Sequence, residues 1–131
     1  MVDEIEIELE DKKFQKELIA GTSALVLLSV LDNADDATEP MYGYQIAKLI
    51  QSQGEDVPML KQGTLYPVLR SLESSHLLQS LVEPSVSGPP RRYYQITDAG
   101  RTTLERWKEM WRQMTTFVDA IMKGESHDQE C

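Results

Sequence analysis

Two short runs in this chain carry polar groups at spacings suited to reading a nucleic-acid duplex. The first is Lys61-Gln62-Gly63-Thr64-Leu65-Tyr66-Pro67, with Arg70 one turn further on. At the start of a helix, glutamine can pair with adenine, and lysine with guanine or phosphate. Threonine and tyrosine hydroxyls can reach phosphate. The free amides of a helix N-terminus favour an anion as well. The second run is Arg91-Arg92-Tyr93-Tyr94, at the exit of Pro84-Ser85-Val86-Ser87-Gly88-Pro89-Pro90, which is turn material. Arginines there can grip a phosphate backbone beside or within the minor groove. Each run also has a plainer use. Leu65 and Tyr66 can be core or cap residues, Thr64 a cap alone, and the arginines an ordinary exposed hairpin.

The elements that must position these groups follow from periodicity. Tyr42 to Gln51 is predicted helical, with Tyr42, Ile46, Leu49 and Ile50 on one face. Gly54 to Pro58 is a turn. Thr64 to Ser75 is the next helix, with Leu65, Val68, Leu69 and Leu72 on its buried face. Pro67 is tolerable there if Gly63 or Thr64 is the N-cap, because first-turn amides have no intrahelical acceptor. Leu77 to Glu83 and Arg92 to Ile96 read as two short strands, and Thr97 can cap a helix running to about Lys123. This order describes a winged helix-turn-helix: mainly α, with a small β-ribbon and a long C-terminal helix.

Upstream, Phe14 to Leu31 is predicted as a helix whose stripe includes Leu18, Ile19, Thr22, Leu25, Val26, Leu28 and Val30. Residues 1–13 alternate acid and aliphatic from Glu4 to Glu10. That period suggests a strand, but the charge density favours a mobile arm. The expected organisation is therefore an acidic arm at 1–13 and a winged DNA-binding domain at 14–96. A dimerisation helix at 97–123 and a disordered polar tail at 124–131 complete it.

The last helix carries a second pattern. Leu104, Trp107, Trp111, Met114, Val118 and Ile121 are spaced three and four residues apart in alternation, as in a coiled-coil seam. The stripe can dock on its own subunit or form a two-fold dimer interface. The dimer is preferred, because DNA-reading helices usually work in pairs over half-sites. A third use follows from the helix's aromatic and methionine content, Trp107, Met110, Trp111, Met114 and Phe117: a loosely packed interface that accepts a flat apolar effector.

Composition narrows the function. The chain has 131 residues, enough for one compact domain, and a net charge of −9. That sum argues against a general nucleic-acid coat. Its distribution is uneven: residues 1–20 hold seven acids and three bases, whereas residues 41–101 hold six bases and five acids. The net-positive segment is the one proposed to meet DNA. The competing class is an interaction module that kept a winged fold without DNA binding, which the acidity would suit. Cys131 is the lone cysteine, which fits a reducing cytoplasm. Neither a signal-peptide pattern nor a membrane-length apolar run is expected from the sequence. No metal-ligand spacing joins His76, His127 and Cys131, and Ser74-Ser75-His76 lacks an acid to orient it. No enzyme activity, metal or cofactor is expected.

Four blocks together carry a resemblance. They are Met41-Tyr42-Gly43-Tyr44-Gln45-Ile46, Gly63-Thr64-Leu65-Tyr66-Pro67-Val68-Leu69, Leu72-Glu73-Ser74-Ser75-His76-Leu77-Leu78, and Arg91-Arg92-Tyr93-Tyr94-Gln95-Ile96-Thr97-Asp98-Ala99-Gly100. In this order they resemble the PadR family of transcriptional regulators, over roughly residues 18–121. The resemblance implies a winged-helix homodimer, usually a repressor, on a palindromic operator in double-stranded DNA. Some members respond to phenolic acids or bind flat aromatic drugs between subunits. It places Tyr44 on the helix before the reading helix, Thr64, Tyr66 and Pro67 at the reading helix's start, and Arg91 and Arg92 at the wing base. Trp107 and Trp111 fall on the dimer helix, where some members hold residues that stack a small aromatic effector. His76 stands where the family commonly has glycine, so the turn there is expected to form without left-handed freedom.

Overall fold

A computed structural model describes residues 3–34, 41–53 and 62–124. Four helices and three strands follow one another: α1 (Glu4–Asp32), β1 (Met41–Tyr42), α2 (Gly43–Gln53), α3 (Gln62–Ser74), β2 (Leu78–Glu83), β3 (Arg91–Ile96) and α4 (Asp98–Lys123). The sheet is antiparallel, in the order β1-β3-β2. Met41 pairs with Tyr94 and Tyr42 with Tyr93, while β2 and β3 pair from Leu78–Ile96 to Glu83–Arg91. This is the winged helix-turn-helix expected from the sequence, with β1 as an additional edge.

The core gathers one face of each element. Leu27, Leu28 and Leu31 of α1 meet Ile46, Ala47 and Ile50 of α2 and Leu65, Leu69 and Leu72 of α3. Leu78, Tyr94 and Ile96 close it from the sheet, and Leu104 closes it from α4. The buried face of α1 thus turns on Leu27, Leu28 and Leu31, while Leu18, expected on that face, is exposed. The apolar half of α1 is long and apolar enough to pass for a membrane span by composition. The residues Ser23, Leu27, Leu28 and Leu31 within it are buried in the fold.

Residues 4–13 depart from the expected mobile arm: they are the first turns of α1. Asp3 caps the helix by accepting from the Glu6 amide at 2.9 Å, and Glu4 and Glu6 stand at the positive end of the helix dipole. Among the described residues the acid–aliphatic alternation has no neighbouring strand to pair with. Local capping and the absence of glycine or proline in the segment let it continue the helix.

Pro67 also sits deeper than expected. With α3 starting at Gln62, it is the sixth helical residue, and its missing N–H leaves the Gly63 carbonyl without the usual donor four residues on. The turn after α3 overturns a further expectation. His76 itself takes the left-handed conformation, with φ of 63°. Its amide donates to the Glu73 carbonyl at 2.9 Å, and the Leu77 amide reaches back to Leu72 at 3.0 Å. This pair of bonds is a Schellman closure, which satisfies the last carbonyls of α3.

The same turn anchors α4. Thr97 Oγ1 accepts from the Gly100 amide at 2.9 Å and donates to the His76 carbonyl at 2.8 Å. A β-carbon at Gly100 would stand 2.2 Å from the Leu77 carbonyl oxygen, so only glycine lets α4 start this close to the turn. Arg101 adds an ion pair with Asp32 at 3.5 Å, tying the start of α4 to the end of α1.

Candidate DNA-binding surface and helical interface

Helix α3 divides its residues between the core and the outside. Leu65, Leu69 and Leu72 are buried, leaving Thr64, Tyr66 and Arg70 exposed on the remaining surface. Gln62 is the first residue of α3, and Lys61 lies outside the described residues. Tyr66 leans on the start of α2, where a β-carbon at Gly43 would come within 2.6 Å of its ring. The absence of a side chain at Gly43 therefore sets how closely the two helices approach.

The wing base closes on this surface. A cleft of about 520 Å³ is lined by Tyr42, Gly43 and Tyr44 from the β1–α2 junction and Tyr66 from α3. Ser87, Pro89, Pro90, Arg91 and Arg92 line it from the wing. Four of the residues expected to meet DNA, Tyr44, Tyr66, Arg91 and Arg92, are thus brought to one place from three elements. Thr64 and Arg70 lie outside the lining of this cleft, elsewhere on the exposed side of α3. The arrangement combines cations, hydroxyl donors and flat rings, which suits a phosphate backbone.

The two arginines are held differently. Arg92 Nη1 donates to Ser80 Oγ across the ribbon at 2.9 Å, and Ser80 Oγ donates to the Glu73 carboxylate on α3. That chain ties the wing to the reading helix, and sequence reasoning did not find it. Its signal is the register, which places Ser80 opposite Tyr94 and Val82 opposite Arg92, so Ser80 and Arg92 share a face. Beside it, burial pushes the Tyr94 phenol above its ordinary pKa, while the nearby Arg92 charge pulls the other way.

The α4 stripe splits into two parts. Leu104 is fully buried in its own subunit and Trp107 packs, partly buried, against the same core. The expectation that Leu104 is an interface residue therefore fails, because no surface of it remains to offer a partner. Beyond Trp107 the stripe is open: Trp111 is 47% exposed, Met114 57%, Val118 40% and Ile121 61%. On α1, Ile5, Ile7, Leu9, Phe14 and Leu18 are exposed as well. Single exposed apolar residues are ordinary; those of α4 from Trp111 to Ile121 share one face, whereas those of α1 divide between opposite sides, Ile5 and Leu9 on one and Ile7, Phe14 and Leu18 on the other. Trp111 also borders a groove of about 880 Å³ with Thr22, Leu25 and Val26 of α1, Leu49 of α2 and Lys108 of α4. Trp107 does not line it.

Comparison with known proteins agrees with this architecture. The model of the transcriptional regulator PadR-like family matches residues 27–106, from the core of α1 into α4. The transcriptional regulator Rv3488 of Mycobacterium tuberculosis is 34% identical over 104 residues, covering 79% of this chain and 89% of that protein. The crystal structure of a PadR family transcriptional regulator from Eggerthella lenta is similar at a TM-score of 0.76 and 30% identity, covering 90% of this chain and 96% of that one. A PadR-like transcriptional regulator from Bacillus cereus is similar at a TM-score of 0.65 and 28% identity, over 83% of this chain and 99% of that one.

Proposed function

The chain belongs to the PadR-like family of transcriptional regulators, and from that premise we propose that it works as a homodimeric repressor on a palindromic operator. The observation that carries the DNA contact is the cleft where Tyr44, Tyr66, Arg91 and Arg92 converge beside α3. In a helix-turn-helix the reading helix enters the major groove, and the wing holds the flanking backbone. Thr64, Tyr66 and Arg70 are among the exposed side chains of α3 and are the ones offered to that groove, with Gln62 at its start and Lys61 preceding it in the sequence. Repression follows from occupancy in the cytoplasm: a dimer over promoter DNA excludes polymerase.

The open row on α4 supports the dimer. Trp111, Met114, Val118 and Ile121 form the seam in this reading, and a second copy covers them. Two-fold pairing would also set the two reading helices to successive major grooves. The groove at Trp111 supports release by a small aromatic effector, which stacks on the indole and favours a dimer whose reading helices no longer match the operator.

Fluorescence anisotropy tests the reading. The purified protein is titrated onto DNA from immediately upstream of its own coding sequence, at low and near-physiological salt, with scrambled competitor. Competitor-resistant binding that weakens steeply with salt is expected. Binding that ignores salt, or yields equally to scrambled DNA, overturns it.

A further inference from the structure

The wing base carries an arrangement beyond the contacts expected of it. Strand alternation sends Arg91 and Tyr93 to one face of β3 and Arg92 and Tyr94 to the other. On the Arg91 face, Tyr42 of β1 pairs with Tyr93, and their rings meet edge to face with centroids 5.5 Å apart. The Arg91 guanidinium lies over the Tyr42 ring, 4.5 Å from its centroid. Tyr44 stacks alongside Tyr42 with centroids at 6.4 Å, and the Lys48 ammonium stands 5.4 Å from the centre of the Tyr44 ring. The result is a row, Arg91, Tyr42, Tyr44 and Lys48, crossing from the wing to α2. The Tyr42 amide is itself fixed by the Gln45 side chain at 3.1 Å.

We propose that Tyr42 is a positioning residue for DNA binding, whose ring holds the Arg91 guanidinium ready for a backbone phosphate. This rests on the DNA-binding reading of the cleft and names how one of its cations is set. A guanidinium stacked on a ring keeps its in-plane N–H donors free, and those donors match phosphate geometry. A free arginine would lose most of its rotamer freedom on meeting the phosphate, whereas the stacked one has lost it beforehand. Arg92 differs, because its bond to Ser80 and the Glu73 carboxylate beyond it direct it toward the reading helix.

The test measures the slope of log affinity against log salt, on the duplex that the unaltered chain selects from a random-sequence pool. Arg91→Ala is expected to make the slope shallower by about one, the value of one phosphate contact. Tyr42→Leu should weaken binding severalfold at an unchanged slope, because Arg91 still reaches the phosphate but must first be ordered, and Tyr42→Phe should restore the affinity. In the Arg91→Ala background, Tyr42→Leu should cost nothing further. If Tyr42→Leu does not fold, Tyr42→Thr, a strand-compatible residue without a ring, carries the same comparison. An affinity that Tyr42→Leu leaves unchanged, a loss that Tyr42→Phe does not restore, or a loss that adds to that of Arg91→Ala leaves Tyr42 a merely structural part and overturns the inference. Failure of the unaltered chain to select any duplex is a different result, which overturns the DNA-binding reading itself and the inference with it.

Discussion

Gly43 and Tyr66 are packed so closely that a β-carbon on the glycine would stand 2.6 Å from the tyrosine ring and 2.7 Å from its hydroxyl oxygen. The contact joins the first residue of α2 to the exposed side of α3. Gly43→Ala must therefore push the Tyr66 ring aside. The ring is the far end of a flexible side chain, so the stability cost should be only about 1 kcal/mol. Affinity for the operator should fall while the melting temperature drops by only about 3–5 °C, by anisotropy and a thermal melt on the same preparation. An undisturbed affinity would separate Tyr66 from the DNA.

His76 closes α3 in a conformation that L-residues adopt at a cost of about 1–2 kcal/mol. Glycine removes that strain but adds freedom to the unfolded chain, worth about 0.4–1 kcal/mol. His76→Gly should therefore stabilise the protein by about 0.5–1 kcal/mol, read as a higher urea midpoint at an unchanged slope. A lower midpoint would mean that the imidazole contributes something the backbone geometry does not reveal.

That turn also shows where the sequence stops being legible. The order of elements was readable because α2, α3 and the ribbon each carry their own apolar period, and Thr97 stood where a cap was needed. The left-handed turn was not, since a histidine, though enriched at positive φ among non-glycine residues, marks it far less sharply than a glycine does. The first turns of α1 misled for a different reason: alternation from Glu4 to Glu10 mimics a strand. The competing signal was present in Asp3 and Glu6, an N-cap with an acid three residues on. Two residues of β1 are too few to show any period. At the candidate site, the residue types at Tyr66, Arg91 and Arg92 point to DNA, and Tyr44 joins them through the family resemblance alone. Their convergence, the Tyr42–Arg91 stack and the Ser80–Glu73 bond depend on strand register and helix approach, which no local pattern specifies.

Tyr94 gives the fold a response to alkali. Burial holds its phenol above the ordinary value near 10, so the folded state keeps this proton more tightly than the unfolded chain does. The corresponding stability is fully present below the unfolded-state value and is lost as pH rises through the folded-state value. Urea midpoints should fall in that alkaline range, and Tyr94→Phe, which cannot ionise, should fall less steeply. Parallel declines for the two proteins would assign the loss to other groups.

Leu104 and Trp111 belong to one periodic stripe, yet they should respond to substitution in opposite ways. Periodicity identifies the face of a helix but not the subunit that covers it. Leu104 is fully buried within its own chain, so Leu104→Ala should cost about 2–5 kcal/mol of fold stability through the cavity it leaves. Trp111 is 47% exposed in the single chain and stands at the head of the open row. Trp111→Glu should leave the fold near its original stability and bury a charge only when two copies meet. Sedimentation at a temperature where both variants are folded should find Trp111→Glu largely monomeric and Leu104→Ala still dimeric. A dimer of undiminished strength in Trp111→Glu would move the seam off α4 and leave the exposed face of α1 carrying Ile7, Phe14 and Leu18 as the surface that a partner must cover.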